Sequence, residues 1–575
     1  MPGSIFMKCP NIASHLLFLV FVGTCAFAQE DSAILDIERL FAAPDLDGPS
    51  PRGVAISPDS TRVTFLRGKD TDPLQMDLWE YSIADDETRM LVDSVALTGD
   101  SEDLSDEELA RRERLRIVGQ KGIVSYHFSP DGSSLLFPLN GDLYLYDIAT
   151  SDVSRLTETD DGETDPKFSN TGRYVSFVRN QNLFVVELDT GKERQITSDG
   201  GGTIKNGMAE FIAQEEMDRY TGYWWSPDDS ALAFTRVDES PVEVVERFEV
   251  YAEDFKVYEQ RYPATGTPNV TIQVGVTPLD DGDIRWMDIG EETDIYIARV
   301  DWFPDGDYLA IQRQSRDQQR LDLLKTDADS GASRVMLTET SDTWLNLHND
   351  LRFLEESEHF IWLSERSGHA HLYLYGNEGN LIRQLSDGNW DIVDGARGRG
   401  ALLHVDEAGE RLFFTATIDS PLERNVYSMP LSGDAQPTRI TTSPGWHKAD
   451  FADNGEFFVD SFNSANVPPQ VAIHRADGQR ISFIEENALD ASHPYFPYLA
   501  TRPSTEYGTL KAKDGQVLHY YIKKPSDFVA SREYPAVLSV YGGPQGQRVT
   551  NEWSAGFEEV LTGKGFIVFS IDNRG

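Results

Sequence analysis

Two adjacent carboxylic acids, Glu215 and Glu216, stand in a stretch, residues 208–241, whose composition suits the binding of a cation. The first half predicts a short helix, because four apolar residues recur on one face. These are Met208, Phe211, Ile212 and Met217. Neighbouring helix residues point about 100° apart, so both carboxylates can line one rim of a cavity. There they would hold an ammonium group through charge-assisted hydrogen bonds. The alternative is a solvated acidic helix face.

The acids must be positioned by the strands that follow, which belong to a repeating pattern. From about Ser50, an apolar strand, a tight turn and a second strand recur, followed by two further strands of alternating pattern. Proline presets such turns, and Asp or Gly supplies the return. The turns begin at Ser57, Ser129, Ser169, Ser226 and Phe303, with weaker copies at Glu355, Asp406 and Asp453. Residues 143–146, 183–186 and 372–375 are predicted third strands. A repeat of roughly 40–50 residues predicts a mainly β fold of the β-propeller type.

Residues 213–228, AQEEMDRYTGYWWSPD, resemble the double-glutamate segment of the dipeptidyl peptidase IV family. The resemblance is closest to the bacterial members of that family and to its cytosolic members, dipeptidyl peptidases 8 and 9. Residues 236–240, 261–263 and 266–267 also resemble that family. The resemblance implies that Glu215 and Glu216 bind the free α-amino group of a peptide substrate. It also implies an eight-bladed β-propeller, and the number of turns is consistent with eight.

One predicted helix interrupts the strands at residues 104–119, LSDEELARRERLRIVG. Ser105 and Glu108 form a capping-box pattern. A solvated helix between repeats is one interpretation. The family resemblance implies a sharper one, an arginine-bearing helix that closes over the bound peptide. Arg112 and Arg116 share a face at i, i+4 spacing, so either could bind a substrate carbonyl. We favour Arg112.

The pattern changes after about residue 490. Residues 491–503 predict a proline-containing linker, and strands are predicted at 507–512, 517–523 and 536–540, the last suited to a buried sheet. A helix at 552–562 and a strand at 566–571 complete the beginning of an α/β-hydrolase domain. This part resembles the catalytic domain of prolyl oligopeptidase relatives. The resemblance implies that the hydroxyl of Tyr541, which precedes Gly-Gly-Pro, donates a hydrogen bond to the oxyanion formed during peptide hydrolysis. Apart from the resemblance, Tyr541 is an aromatic residue in a turn.

A serine peptidase of this fold needs a G-x-S-x-G elbow, followed by an acid and a histidine. The 575 residues contain no such motif. We therefore expect a sequence truncated before the catalytic serine, and a polypeptide that is inactive alone. The predicted divisions are a signal peptide (1–28), an N-terminal segment (29–50), the propeller (51–490), and the linker with the truncated hydrolase domain (491–575).

The predicted function of the full-length protein is that of a serine exopeptidase. It would release Xaa-Pro or Xaa-Ala dipeptides from short peptides with a free N-terminus, and the resemblance implies a homodimer. One alternative is a non-catalytic propeller that binds peptides or partner proteins. Another is an endopeptidase or acylaminoacyl-releasing enzyme, which would not depend on Glu215 and Glu216.

The first 28 residues resemble a secretory signal, with Lys8, an apolar run at 15–22 and a small-x-small cleavage site ending at Ala28. The run is short for a bilayer span, so a membrane anchor is the weaker interpretation. Both cysteines, Cys9 and Cys25, lie in this segment, and the mature chain would have none. We expect a periplasmic or secreted protein.

The net charge and the motifs present in the sequence limit the classes of partner and cofactor that we expect. Lys and Arg number 51 against 96 acids, giving a formal net charge of −45, which argues against nucleic acid or an anionic membrane as a partner. No glycine-rich phosphate loop precedes a helix, so no nucleotide cofactor is predicted. His369 and His371 alternate as on a strand, and no histidine has metal-ligand spacing, so no metal is predicted.

Overall fold

Eight antiparallel sheets follow one another in the described part of the chain. The computed structural model describes residues 33–280, 282–396, 398–433, 435–543 and 546–574, so the predicted signal peptide lies outside the described residues. Each sheet consists of strands that are consecutive in sequence, except that a two-stranded ribbon is inserted between two strands of the fourth sheet. This is the order expected when hairpin turns connect neighbouring strands.

The first four sheets cover residues 52–286. Sheet 1 consists of Arg52–Ile56, Arg62–Lys69, Asp72–Ser82 and Glu87–Val92, with the short strand Lys121–Gly122 parallel to Asp72–Ser82. Sheet 2 consists of His127–Phe128, Ser134–Leu139, Asp142–Asp147 and Val153–Arg155. Sheet 3 consists of Thr164–Phe168, Tyr174–Arg179, Asn182–Glu187 and Lys192–Gln195. Sheet 4 consists of Ile204–Asn206, Tyr223–Trp225, Ala231–Asp238, Thr271–Pro278 and Arg285–Trp286.

The next four sheets cover residues 295–485. Sheet 5 consists of Ile295–Trp302, Tyr308–Ser315, Arg320–Asp327 and Ser333–Thr340. Sheet 6 consists of Arg352–Phe353, His359–Ser364, His371–Gly376 and Leu381–Gln384. Sheet 7 consists of Leu402–Asp406, Arg411–Ala416, Asn425–Pro430 and Thr438–Arg439. Sheet 8 consists of Trp446–Phe451, Phe457–Ser464, Val467–Arg475 and Arg480–Glu485.

The predicted turns fall where the sheets need them. Each of the eight lies between two paired strands at the start of a sheet, and the three predicted third strands are third strands. Local polar chemistry closes these turns. The Ser226 hydroxyl donates to the Asp228 carboxylate at 2.8 Å and accepts from the Ala231 N–H at 2.9 Å. Ser129 makes the same two contacts, with Asp131 and with the Ser134 N–H.

The core of this region is divided into apolar layers between neighbouring sheets. One layer lies between each consecutive pair, from sheets 1 and 2 to sheets 7 and 8. A further layer joins sheet 8 to sheet 1 through Val63, Phe65, Tyr81, Val459, Val471 and Ile473. Both faces of the middle strands are therefore covered, and strands such as Tyr174–Arg179 are nearly continuously buried.

The described helices are short. They are α1 (Ile37–Leu40), α2 (Ser94–Thr98), α3 (Asp106–Arg114), α4 (Phe211–Glu216) and α5 (Phe557–Gly563), with a 3₁₀ helix at Phe496–Thr501. None of these helices has the length and apolar character needed to cross a membrane.

Two helix predictions need correction in their bounds. Helix α3 is shorter than the predicted 104–119, because Arg116 adopts a left-handed backbone with φ of 61°, which cannot continue a helix. Ser105 caps its start by accepting from the Glu108 N–H at 3.3 Å, but the Glu108 side chain binds Arg112 instead of completing the capping box. Helix α4 confirms the predicted short helix, although Met208 lies before it.

A two-stranded ribbon projects from sheet 4 between Ala231–Asp238 and Thr271–Pro278. Its strands are Val244–Val250 and Phe255–Arg261. The exposed rings of Phe248 and Phe255 lie 5.5 Å apart between centroids.

A ninth sheet follows at the C-terminal end of the described residues, in the order Thr505–Lys511, Val517–Lys523, Ile567–Ile571 and Ala536–Ser539. Its last two strands are parallel, and the predicted strands are confirmed. The helix begins later than predicted, at Phe557. The prediction that residues 536–540 are buried is wrong: Leu538 and Val540 are exposed, because no described residue covers that face.

This C-terminal unit lies against sheets 7 and 8. The Asn551 N–H donates to the Leu422 carbonyl, and the Trp553 N–H donates to the Asn463 side chain, each at 2.8 Å. Trp553 also packs in an apolar cluster with Leu35, Leu46, Tyr495 and Val560. The residues before sheet 1 thereby join the same unit.

Candidate functional site

Helix α4 is held in place from both of its ends. At six residues it is too short to be stable alone, so tertiary contacts must fix it. The Glu210 carboxylate before it pairs with the Arg219 guanidinium after it at 2.8 Å, and both side chains are buried. Ile212 and Met217 pack against Tyr296 and Ala298 of sheet 5. The two glutamates therefore project from a rigid support.

Glu215 and Glu216 have different surroundings. The Glu215 side chain is 21% exposed and contacts two arginines. Glu216 is exposed, and it forms no hydrogen bond or ion pair with any residue in the described ranges. Its charge is still felt nearby: the pKa of Tyr296 is raised, chiefly by burial, with Asp294, Glu210 and Glu216 adding to the rise.

The arginines that contact Glu215 come from the end of α3. Nη2 of Arg116 donates to Oε1 of Glu215 at 2.5 Å, and Nε of Arg114 lies 3.8 Å from Oε2. The Arg114 guanidinium also lies over the Phe211 ring, 4.4 Å from its centroid. The left-handed Arg116 turns the chain out of the helix at this contact. A strained non-glycine residue of this kind persists only where its surroundings fix it.

Arg112, the arginine favoured from the sequence, does not take part in this contact. Its side chain is only 3% exposed, and its guanidinium donates to Glu108 at 3.0 Å, Glu102 at 3.0 Å and the Gln120 carbonyl at 3.1 Å. Its Nε and Nη1 atoms are therefore already paired within the protein. The i, i+4 argument linking Arg112 to Arg116 fails because the helix ends between them.

Tyr541 lies in the C-terminal unit, two residues after Ala536–Ser539. Its side chain is 63% exposed and forms no hydrogen bond with the residues that the structure describes. The ring lies close over Gly543 and Gly546, where any side chain would collide with it. The structure does not bring Tyr541 into contact with Glu215 or Glu216.

The arrangement on α3 and α4 suits a ligand that carries an ammonium group beside a hydrogen-bond acceptor. Glu216 offers an unpaired carboxylate, and Arg116, 69% exposed, offers further N–H donors next to it. Among residues 33–574 as described, no group of three or more His, Cys, Asp or Glu side chains could hold a metal ion.

Comparison with known proteins identifies the family. The sequence model of the dipeptidyl peptidase IV N-terminal region matches residues 129–469, more than half of the chain. The chain belongs to the dipeptidyl peptidase IV family. It is 27% identical to dipeptidyl peptidase 8 of Homo sapiens over 583 residues, covering 84% of this chain and 64% of that protein. It is 25% identical to dipeptidyl peptidase 4 of Trichophyton rubrum over 489 residues, covering 79% of this chain and 61% of that protein.

Solved structures of the dipeptidyl peptidase IV type share the fold. The structure of Porphyromonas gingivalis dipeptidyl peptidase 4 matches with a TM-score of 0.78 and 25% identity, covering 94% of this chain and 74% of that one. A putative dipeptidyl aminopeptidase IV from Bacteroides ovatus matches with a TM-score of 0.70 and 23% identity, covering 92% and 72%. This family member spans less than two thirds of the length of the curated relatives named above.

Sequence reasoning missed Arg114 and Phe211 in this family member. Their stacking depends on where α3 ends relative to α4, almost one hundred residues later, and no local pattern gives that distance. A cluster of arginines at 111, 112, 114 and 116 was the available signal. It indicated a basic helix end but not which side chain faces the acids.

Proposed function

We propose that the protein containing this chain is a secreted or periplasmic serine-type dipeptidyl peptidase that removes Xaa-Pro or Xaa-Ala dipeptides from short peptides. One observation carries the proposal. In a member of the dipeptidyl peptidase IV family, an exposed and unpaired Glu216 stands beside a Glu215 that two arginines hold in place.

The substrate ammonium binds Glu216 and shares Glu215 with Arg116. A carboxylate that accepts from an ammonium makes a hydrogen bond roughly twice as strong as a neutral one. The remaining N–H groups of Arg116 donate to a carbonyl of the first two substrate residues. Arg116 therefore takes the role that the sequence suggested for Arg112. A fixed ammonium position sets the distance to the cleaved bond, so the enzyme acts two residues from the N-terminus.

The eight sheets act as the blades of a β-propeller that forms the wall of the substrate chamber. The apolar layers between consecutive sheets, together with the layer between sheets 8 and 1, support this arrangement. Such a wall admits short or unfolded peptides and excludes folded proteins.

Hydrolysis rests on residues that the 575-residue sequence does not contain, since it has no G-x-S-x-G motif. Tyr541 stabilises the oxyanion of the tetrahedral intermediate through its hydroxyl. The exposed position of Tyr541 beside Gly543 leaves that hydroxyl accessible. We propose that the 575 residues alone are inactive, and that the full-length protein is a homodimer.

A second function is a propeller that binds peptides without cleaving them. Both functions use Glu215 and Glu216, and they differ in the turnover of a bound peptide.

The proposed binding site for the substrate ammonium, formed by Glu215, Glu216 and Arg116, is called the amine site. It is tested by calorimetric titration of the 575-residue chain with a tripeptide amide, Ala-Pro-Ala-NH₂, and with its N-acetylated form. The free-amine peptide should bind, and acetylation should weaken binding about tenfold or more, because charged hydrogen bonds contribute about 1.5–3 kcal/mol. Glu216→Gln and Glu215→Gln should each reduce the difference between the two peptides. Glu253→Gln, at an exposed glutamate of the ribbon, should not. Equal binding of both peptides would contradict the amine site.

Catalysis is tested with a dipeptidyl chromogenic substrate. The full-length protein from its native source should release the chromophore and lose activity with a serine-directed inhibitor, whereas the 575-residue chain should not. Binding without turnover by the full-length protein would favour the second function.

N-terminal sequencing of the exported protein should begin at Gln29 if the signal is cleaved after Ala28.

A further inference from the structure

A cavity of about 190 Å³ lies beside the amine site, and neither Glu215 nor Glu216 lines it. It lies between α3 and residues of the strands and loops of sheets 3 and 4. Gln214, the residue before Glu215, lines it from α4. The cavity is therefore next to the amine site, and its lining includes neither of the two glutamates.

One wall of the cavity is a face of α3 that carries both signs of charge. Glu107 and Arg111 line it at i, i+4 spacing, with Asp106 and Ala110 beside them. Arg111 lies 3.7 Å from Glu108 but forms no ion pair with Glu107 among the described residues, so a negative and a positive group face the cavity separately.

The guanidinium of Arg111 has N–H donors without hydrogen-bond acceptors among the described residues. Its side chain is 16% exposed, its nearest charge is the Glu108 carboxylate at 3.7 Å, and it forms no hydrogen bond with any described residue. A guanidinium carries five N–H donors, and burying them without acceptors is costly. The arrangement fits an anionic group that binds Arg111 from the cavity.

The opposite wall also contains buried polar atoms without hydrogen-bond partners among the described residues, and the Lys167 ammonium lies 3.9 Å from Oδ2 of Asp165. Oδ2 of Asp165 and Oε1 of Gln181 are buried and accept no hydrogen bond from the described residues. Asp165 has a left-handed backbone with φ of 51°, a conformation that non-glycine residues adopt rarely. Oε1 of Glu107 accepts from Nε2 of Gln181 at 3.3 Å, which leaves its other lone pairs available.

The volume of the cavity and the charges of Glu107 and Arg111 indicate which class of ligand fits. A cavity of about 190 Å³ is smaller than the roughly 300–1,000 Å³ that drug-sized ligands occupy. An extended dipeptide places its ammonium and carboxylate about 6–7 Å apart, since each residue spans at most about 3.3–3.6 Å. In a single amino acid both charged groups are attached to one Cα, so they lie closer together than in a dipeptide.

We propose that this cavity is a second binding site, specific for a free dipeptide whose carboxylate binds Arg111 and whose ammonium binds Glu107. Val178 and Ala209 provide apolar contacts for its side chains. The site needs both charged termini, whereas the amine site needs only the ammonium. Dipeptides are also the product class of the proposed function, but binding here does not depend on that function.

The test uses the 575-residue chain with Glu215→Gln and Glu216→Gln combined, which removes the amine site and keeps the cavity. Calorimetric titration with alanyl-alanine should show one site. N-acetyl-alanyl-alanine and alanyl-alanine amide should each bind at least tenfold more weakly. Adding Arg111→Gln should abolish binding, Arg111→Lys should retain part of it, and Arg532→Gln, an exposed arginine elsewhere, should change nothing.

The outcomes separate this site from the amine site. Binding that disappears in the double glutamate variant, or that survives Arg111→Gln, would overturn the proposal. Equal binding of the capped and free dipeptides would also overturn it. If Arg111→Gln unfolds the chain, as circular dichroism would show, Arg111→Lys and the capped ligands still decide. A negative dipeptide titration does not affect the conclusion from the tripeptide titration of the amine site. A negative tripeptide titration likewise does not affect the conclusion about the cavity.

Discussion

Arg112 and Arg116 are four residues apart, yet their surroundings give them opposite roles. Arg112 is enclosed by Glu102, Glu108 and the Gln120 carbonyl, whereas Arg116 is exposed and contacts Glu215. Truncating one member of a buried ion pair leaves the other charge uncompensated. Exposed ion pairs contribute little to stability. At the scale of single residues, burial therefore distinguishes a structural arginine from one that can bind a ligand.

Arg112→Gln is expected to lower the free energy of unfolding by about 3 kcal/mol or more, since it removes the cation that lies 3.0 Å from both Glu102 and Glu108. Arg116→Gln is the matched control and should cost less than about 1 kcal/mol. Urea unfolding followed by circular dichroism measures both. Equal stabilities of the two variants, with peptide binding lost only in Arg112→Gln, would restore the original assignment.

Junctions between sheets depend on buried polar groups, and Asp350 is one of them. It precedes sheet 6, and its Oδ1 accepts from the Ala401 and Leu402 N–H groups at the start of sheet 7, each at 2.7 Å. Burial raises the pKa of Asp350 to about 6, although these two hydrogen bonds lower it. The geometry needs an acceptor oxygen at this position more than it needs a charge.

Asp350→Ala is expected to lower the free energy of unfolding by about 2–5 kcal/mol, because two buried N–H groups lose their acceptor. Asp350→Asn keeps that oxygen and should cost much less. Since the native pKa lies above the unfolded value near 3.8, the native state binds the proton more tightly, and the charge costs stability as pH rises from about 4 to about 6. Urea unfolding across that range should show a fall that Asp350→Asn lacks.

A second pH dependence is expected in sheet 8, where His447 is buried. Nδ1 faces the Asp460 carboxylate at 2.7 Å and Nε2 faces the Ser443 carbonyl at 2.9 Å, so both nitrogens meet acceptors. Burial lowers the pKa of His447, but Asp460 and the Ser443 carbonyl outweigh it, despite Arg439 nearby, and the pKa is raised.

The charged His447 should therefore stabilise the fold fully below about pH 6.5, and this contribution should be lost as pH rises through the native pKa. Unfolding free energies at pH 6 and pH 8 measure the loss. Asp460→Asn removes the charge that raises the pKa, so its stability should change less between the two pH values. An unchanged difference would contradict the assignment.

At the scale of the whole molecule, the layer between sheets 8 and 1 joins residues that are about 400 positions apart. Phe65 in that layer is fully buried. If the layer closes a ring, a defect in it must loosen both ends of the region together. If the sheets form an open row, the defect stays in sheet 1.

Phe65→Ala is expected to cost about 3–5 kcal/mol through the cavity it leaves. Hydrogen exchange should become faster in Arg62–Lys69 and in Val467–Arg475, and remain unchanged in Tyr308–Ser315 of sheet 5. Phe248→Ala, at an exposed ring of the ribbon, should affect none of the three. Faster exchange confined to sheet 1 would contradict ring closure.

The sequence predicted what local chemistry determines. The turns were predictable because Ser226, Pro227 and Asp228 close a turn with their own side chains. Helix α4 and its two glutamates were predictable from spacing. The end of α3 was not, because an arginine at 116 gives no sign of a left-handed backbone. Contacts between α3 and α4, and the exposure of Leu538, depend on packing between distant segments, which a single sequence does not reveal.

Helix α3 precedes the short strand Lys121–Gly122 of sheet 1, whereas α4 lies between the first two strands of sheet 4, so the Arg116–Glu215 contact joins parts of two sheets that are not consecutive. Movement of sheet 1 relative to sheet 4 would change the distance between Arg116 and Glu215. This contact therefore reports on the relative position of the two sheets. A fluorophore pair placed near its two ends would detect a change in their spacing before either sheet unfolds.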